Sequence, residues 1–241
     1  MTKLRVPSLQ HLARNWHPDS KKITKSLVRL AENPPRFNYN PLSSAALDLL
    51  LFGQPYDQVR LGIIRAVKRE GVRDNYLEIL SLMHKHFESI SPDFVQQVDT
   101  RMYPITRGLM IPFTPPLIYG LGGQIYFPWL SFWRANPLSN KRLALFVSLV
   151  REVLVEDPDL ENARFQIYDF SAPKPKTPRE LAIIEARDVP TLSQDETKEM
   201  LEIFAEGFFN AQAELAGKVS TQKDTERQDS FEDHRQRDLF K

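Results

Sequence analysis

The chain has 241 residues, 41% apolar and 26% charged, enough to bury a real core and typical of a globular rather than a membranous or disordered protein. It contains no cysteine, which excludes a disulfide scaffold, a thiolate zinc site, an iron–sulfur cluster and a cysteine nucleophile. With no apolar leader after Met1, that composition suggests a cytoplasmic protein. The net charge of +1 is a sum of unlike parts. Residues 1–108 carry 16 Lys and Arg against 10 Asp and Glu, 109–192 carry nine of each, and 193–241 carry seven against twelve.

The first hundred residues read as helices. Ser20 caps a stretch through Glu32 with Ile23, Leu27 and Leu30 on one face, and Asn33-Pro34-Pro35 ends it. Further helices are expected over Ala45–Phe52, from Asp57 to Glu70, and through Leu77, Leu80 and Phe87 to Pro92. Together they make an expected basic helical subdomain over 1–107.

From Gly108 to Trp133 the chain has no charge for 26 residues. That length spans a bilayer, but four prolines within it exclude a membrane helix, each costing ~3 kcal/mol in a helix interior. Two aromatic-rich runs, Leu109–Tyr119 and Gln124–Trp133, flank Gly120-Leu121-Gly122-Gly123 and read as a buried hairpin. A helix with Leu143, Phe146, Val150 and Val153 on one face follows, then strands at Ala163–Phe170 and Glu180–Arg187. A last helix carries Met200, Phe204, Phe208, Ala211 and Leu215, opened by a Ser193/Glu196 capping box. The order β-β-α-β-β-α predicts an α+β domain over 108–217, with helices on an antiparallel sheet. Residues 218–241 lose apolar periodicity and read as a disordered tail.

Candidate chemistry is sparse. The five histidines are scattered, and no HExxH, phosphate loop or G-x-S-x-G occurs. The sequence therefore offers no catalytic residues, metal ligands or cofactor site, and the expectation is a protein that is not an enzyme. One pattern resembles a metal-dependent nuclease: Asp169 on one strand and Glu185-Ala186-Arg187 on the next. Arginine stands where lysine is needed. A hairpin symmetric about residue 175 also pairs Asp169 with Leu181, putting the carboxylates over ~13 Å apart at ~3.4 Å per residue. Basic clusters are candidate nucleic-acid contacts: Lys21, Lys22, Lys25 and Arg29 along one helix, and Arg65, Lys68, Arg69 and Arg73 around another.

The chain closes with Gln236-Arg237-Asp238-Leu239-Phe240-Lys241. The first five of these residues closely resemble the short motif by which bacterial replication and repair proteins bind the DNA polymerase sliding clamp, the beta subunit: glutamine, any residue, serine or aspartate, leucine, phenylalanine. The resemblance implies that Leu239 and Phe240 enter an apolar pocket, Gln236 hydrogen-bonds at its rim and Asp238 makes polar contacts. It implies a partner, not a fold. With no visible catalytic set, the chain also resembles the SocB-like replication-inhibiting toxins of toxin–antitoxin systems. That resemblance implies competition with polymerase for the clamp, and control by an antitoxin or proteolytic adaptor and an ATP-dependent protease. The alternative is a clamp-recruited repair or replication accessory factor, including a metal-dependent nuclease.

Overall fold

The uncharged stretch supplies the centre of a five-stranded sheet. The computed structural model describes residues 4–35 and 37–237, without the side chains of Arg107 and 219–237. The strands are β1 (Phe94–Gln96), β2 (Arg101–Pro104), β3 (Met110–Phe113), β4 (Ile118–Leu121), β5 (Gln124–Ser131), β6 (Arg164–Asp169) and β7 (Ala182–Glu185). The sheet order is β1-β4-β5-β6-β7, and β2 and β3 form a separate hairpin. The expected strand over Leu109–Tyr119 is cut at Thr114-Pro115-Pro116, because proline has no N–H to give a ladder. Its first half pairs with β2, Ile111 opposite Tyr103, and its second with β5. Gly122 and Gly123 both adopt positive φ, 58° and 77°, as a two-residue hairpin turn requires.

The sheet is mixed rather than antiparallel. β5 and β6 run parallel, with Trp129 opposite Ile167 and Ser131 opposite Asp169. The cause is α6 (Lys141–Val155), which returns the chain to the starting edge before β6 begins, a βαβ crossover. The remaining neighbours are antiparallel.

Strand alternation then sorts the helices into two layers. Phe127, Trp129, Phe165 and Ile167 face α1 (Leu9–Asn15), α2 (Ser20–Glu32), α6 and α7 (Gln194–Arg237). Leu130, Phe132, Tyr168 and Phe170 face α3 (Asn40–Leu50), α4 (Tyr56–Ala66) and α5 (Glu70–Phe87). The N-terminal helices are thus divided between the two faces instead of packing as one bundle. Asp19 rather than Ser20 caps α2, accepting from the Lys21 N–H at 2.9 Å.

The capping box at α7 is formed: the Ser193 N–H donates to Glu196 Oε2 at 2.9 Å and the Glu196 N–H to Ser193 Oγ at 3.2 Å. Met200, Phe204, Phe208, Ala211 and Leu215 are all buried. The backbone is helical to Arg237, and Leu215 is the last buried side chain among the described residues. Glu, Gln, Lys and Arg are good helix formers, and extending an existing helix avoids the cost of nucleation. Among the described residues no helix is long and apolar enough to cross a membrane.

Candidate functional site

Of the clamp-motif residues, Gln236 and Arg237 are the last two of α7, while Asp238, Leu239 and Phe240 lie outside the described residues. Lys21, Lys22, Lys25 and Arg29 are all exposed and share the outer face of α2, opposite Ile23 and Leu27. The other basic cluster lies across the sheet, at the junction of α4 and α5.

The nuclease-like carboxylates serve different partners. Asp169 pairs in register with Ala182, one residue from the expected Leu181, and Glu185 pairs with Gln166. Asp169 accepts from Asn136 Nδ2 at 2.9 Å and from Ser171 N–H and Oγ at 3.2 and 3.0 Å. Burial raises its pKa, opposed by those hydrogen bonds. Glu185 takes Arg164 Nε at 2.9 Å and Nη2 at 2.6 Å, and this pairing lowers its pKa. Among the described residues there is no group of three or more His, Asp or Glu that could hold a metal ion.

Glu185 belongs instead to a chain of polar groups across four strands. Gln166 Nε2 donates to it at 2.6 Å, Tyr168 Oη donates to Gln166 Oε1 at 3.0 Å, and the Tyr119 and Tyr168 hydroxyls meet at 2.9 Å. The Arg164 guanidinium lies 5.5 Å from the Tyr126 ring centre, and that ring stacks on Tyr119. Burial pushes both Tyr119 and Tyr168 up, so neither hydroxyl ionises near neutrality. The chain fastens β4, β5, β6 and β7 together and satisfies groups that would otherwise be buried at a cost of ~1–3 kcal/mol each.

An opening lies beyond the carboxyl ends of β5 and β6, where helix-connected parallel strands commonly place a ligand. It is a cleft of ≈ 710 Å³ between α5, the segment before α3, and the loops that follow β5 and β6. Arg179, from the β6–β7 loop, forms its anchor, with a side chain only 1% exposed. Its Nη1 donates to the Phe170, Trp133 and Phe132 carbonyls at 2.6, 3.1 and 3.3 Å, and its Nη2 to Asn75 Oδ1 at 2.7 Å. Burial lowers its pKa, but a guanidinium remains charged at neutral pH. Glu78 accepts from the Arg179 backbone N–H at 2.8 Å and from Arg134 Nη1 at 3.3 Å. Arg134 is half exposed, and Arg69 lines the same cleft, exposed and with no ion pair among the described residues. Phe37, 42% exposed, meets Tyr39 edge-on at 5.6 Å at the mouth.

Sequence reasoning missed Arg134, Arg179, Phe37 and Tyr39. The available signal was an arginine just after a buried strand, at the strand-to-helix joint Arg134-Ala135-Asn136-Pro137. No protein family, curated protein or solved structure matches the chain.

Proposed function

We propose that this protein binds the DNA polymerase sliding clamp through Gln236, Asp238, Leu239 and Phe240, and that by occupying the clamp it inhibits replication elongation. The observation that carries the reading is the pentapeptide Gln236-Arg237-Asp238-Leu239-Phe240. Two apolar side chains entering a pocket gain ~1.5–3 kcal/mol each. With the polar contacts of Gln236 and Asp238 added and ordering costs taken off, the net is a few kcal/mol up to ~8, the upper end of which is micromolar binding. Leu215 is the last buried side chain among the described residues, and helix from 219 to 237 adds about 28 Å at ~1.5 Å per residue. Docking as an extended peptide unwinds only the last residues of α7, where helix hydrogen bonds are incomplete in any case.

A competitor of that strength blocks polymerase only when abundant, since polymerase gains from several contacts. Regulation of its amount, by an antitoxin or a proteolytic adaptor and an ATP-dependent protease in the cytoplasm, fits such an inhibitor. The test is direct. A peptide of the last dozen residues should bind purified clamp at micromolar strength and compete with polymerase. In the full chain, replacing Leu239 and Phe240 together by alanine should cost ~3–6 kcal/mol and abolish binding. Wild-type affinity in that double variant would overturn the proposal.

A second reading, a clamp-recruited accessory factor that touches DNA, draws on the four exposed cations of α2. Overproduction separates the two. An inhibitor arrests DNA synthesis in a manner relieved by Phe240→Ala and indifferent to Lys21→Gln with Lys25→Gln, whereas an accessory factor needs both surfaces.

A further inference from the structure

We infer that the cleft beyond β5 and β6 binds single-stranded nucleic acid, one nucleotide seated with its base against Phe37 and Tyr39 and its phosphate between Arg69 and Arg134. The argument does not use the clamp motif. Proteins that hold single strands combine aromatic rings, on which bases stack, with cations that follow the backbone. Both are present here, brought together by the fold from four separate stretches of sequence.

The aromatic part is built and open. Tyr39 is held from behind by Phe132 and Tyr76, with ring centres 5.6 and 6.0 Å away. Phe37 rests edge-on against Tyr39 and keeps 42% of its surface in solvent, so its ring is open to a stacking partner. The cationic part has a fixed and a free component. Glu78 and the Thr177 carbonyl, which accepts from Arg134 Nη2 at 3.0 Å, set the direction of Arg134. Arg179 holds both loops to α5. Arg69 is exposed, and the exposed Arg65 and Lys68 extend the positive rim outward along the α4–α5 junction. The carboxylates of the cleft weigh against a dense anion such as a triphosphate: Asp74 lines it, and Glu78 is engaged with Arg134 and Arg179. A singly charged phosphodiester beside a stacked base matches this mixed lining better. The volume of ≈ 710 Å³ lies within the range of natural ligand sites and admits one nucleotide with room for the strand to enter and leave.

The experiment measures fluorescence anisotropy of a labelled oligothymidylate of about twelve nucleotides with the full-length chain at two salt concentrations, beside a duplex of equal length. The single strand should bind more tightly than the duplex. Phe37→Ala should weaken it roughly 5- to 160-fold, the range for losing one stacking partner, while Phe37→Trp should retain binding and report it by fluorescence quenching. Arg69→Gln should weaken binding and lower the slope of log affinity against log salt by about 0.7, one single-strand phosphate contact. Lys21→Gln with Lys25→Gln changes the other basic surface, on the opposite layer, and loss of binding there counts against the cleft. The inference fails if the single strand does not bind at low salt, if Phe37→Ala binds like wild type, or if the α2 changes remove binding instead. It also fails if a free mononucleotide displaces the probe as well as an unlabelled oligonucleotide does, since the ligand is then a small nucleotide and not a strand.

Discussion

His11 is packed between helix and sheet, its ring edge-on to Trp133 with centres 5.6 Å apart, and Arg14 lies 5.2 Å from the same indole. Burial first, then the charge of Arg14, lowers its pKa to about 4. An unfolded histidine titrates near 6.5, so the unfolded chain takes up the proton first as pH falls. The stability contributed by this neutral histidine is therefore complete above pH ~6.5 and is lost as pH falls toward ~4, with about 2 kcal/mol gone by pH ~5. At this chain length that is ~4–8 °C of melting temperature. His86, also lowered by burial, acts in the same direction, so the diagnostic is a difference. His11→Gln should melt with a smaller drop between pH ~7 and ~5 than wild type, and equal drops would show that His11 is not the group responsible. Residue roles of this kind were poorly legible in the sequence. A scattered histidine carries no mark of burial, and Arg179 reads as one more loop cation although it ties two loops to α5. The separation of Asp169 from Glu185 was legible, because hairpin symmetry fixes register to within one residue.

Elements were more legible than their neighbours. The apolar faces of α6 and α7 follow from period alone, that of α2 does so except at Leu30, which is exposed while Val28 is buried, and the glycine turn between β4 and β5 follows from its composition. The parallel pairing of β5 with β6 did not follow, because local pattern records which face of a strand is buried and not the direction from which its neighbour arrives. Helix α1 went unread: it has only seven residues, too short for periodicity to show. The packing of α2 on α7 hinges on Gly207, a position with no sequence signal beyond being glycine. A Cβ there would lie 2.7 Å from Ile23 Cβ and 2.9 Å from the Ser20 carbonyl oxygen, and Thr24 Oγ1 donates to the Gly207 carbonyl at 3.1 Å. Gly207→Ala gains up to ~1 kcal/mol in helix propensity but forces two helices apart, an overpacking cost of ~1–3 kcal/mol. The net should be destabilising by about 1 kcal/mol, seen as ~2–4 °C in thermal melting. Gly62→Ala in α4, where an added Cβ meets nothing within 4 Å, should change the melt in the opposite direction. A stabilised Gly207→Ala would mean that the α2–α7 contact is looser than its geometry.

At the scale of the molecule, two layers of helices surround a mixed sheet and hold the cleft, and the polar extension of α7 leads to the pentapeptide proposed to bind the clamp. The division is testable with one truncation. Among the described side chains the core contacts of α7 end at Leu215, and Lys218 pairs there with exposed Glu32 and Glu214, a screened surface pairing that adds little. A chain ending at Lys218 should therefore melt within a few degrees of full length. It should lose clamp binding entirely, because Gln236, Leu239 and Phe240 are gone, and keep the affinity of the full chain for single-stranded oligonucleotide, because Phe37, Arg69 and Arg134 are all in the body. Loss of both activities with an unchanged melt would place nucleic-acid binding on the extension and refute the cleft. A large drop in the melt would show that residues beyond 218 complete the core. Retention of clamp binding would locate the clamp contact in the body and end the case for the pentapeptide.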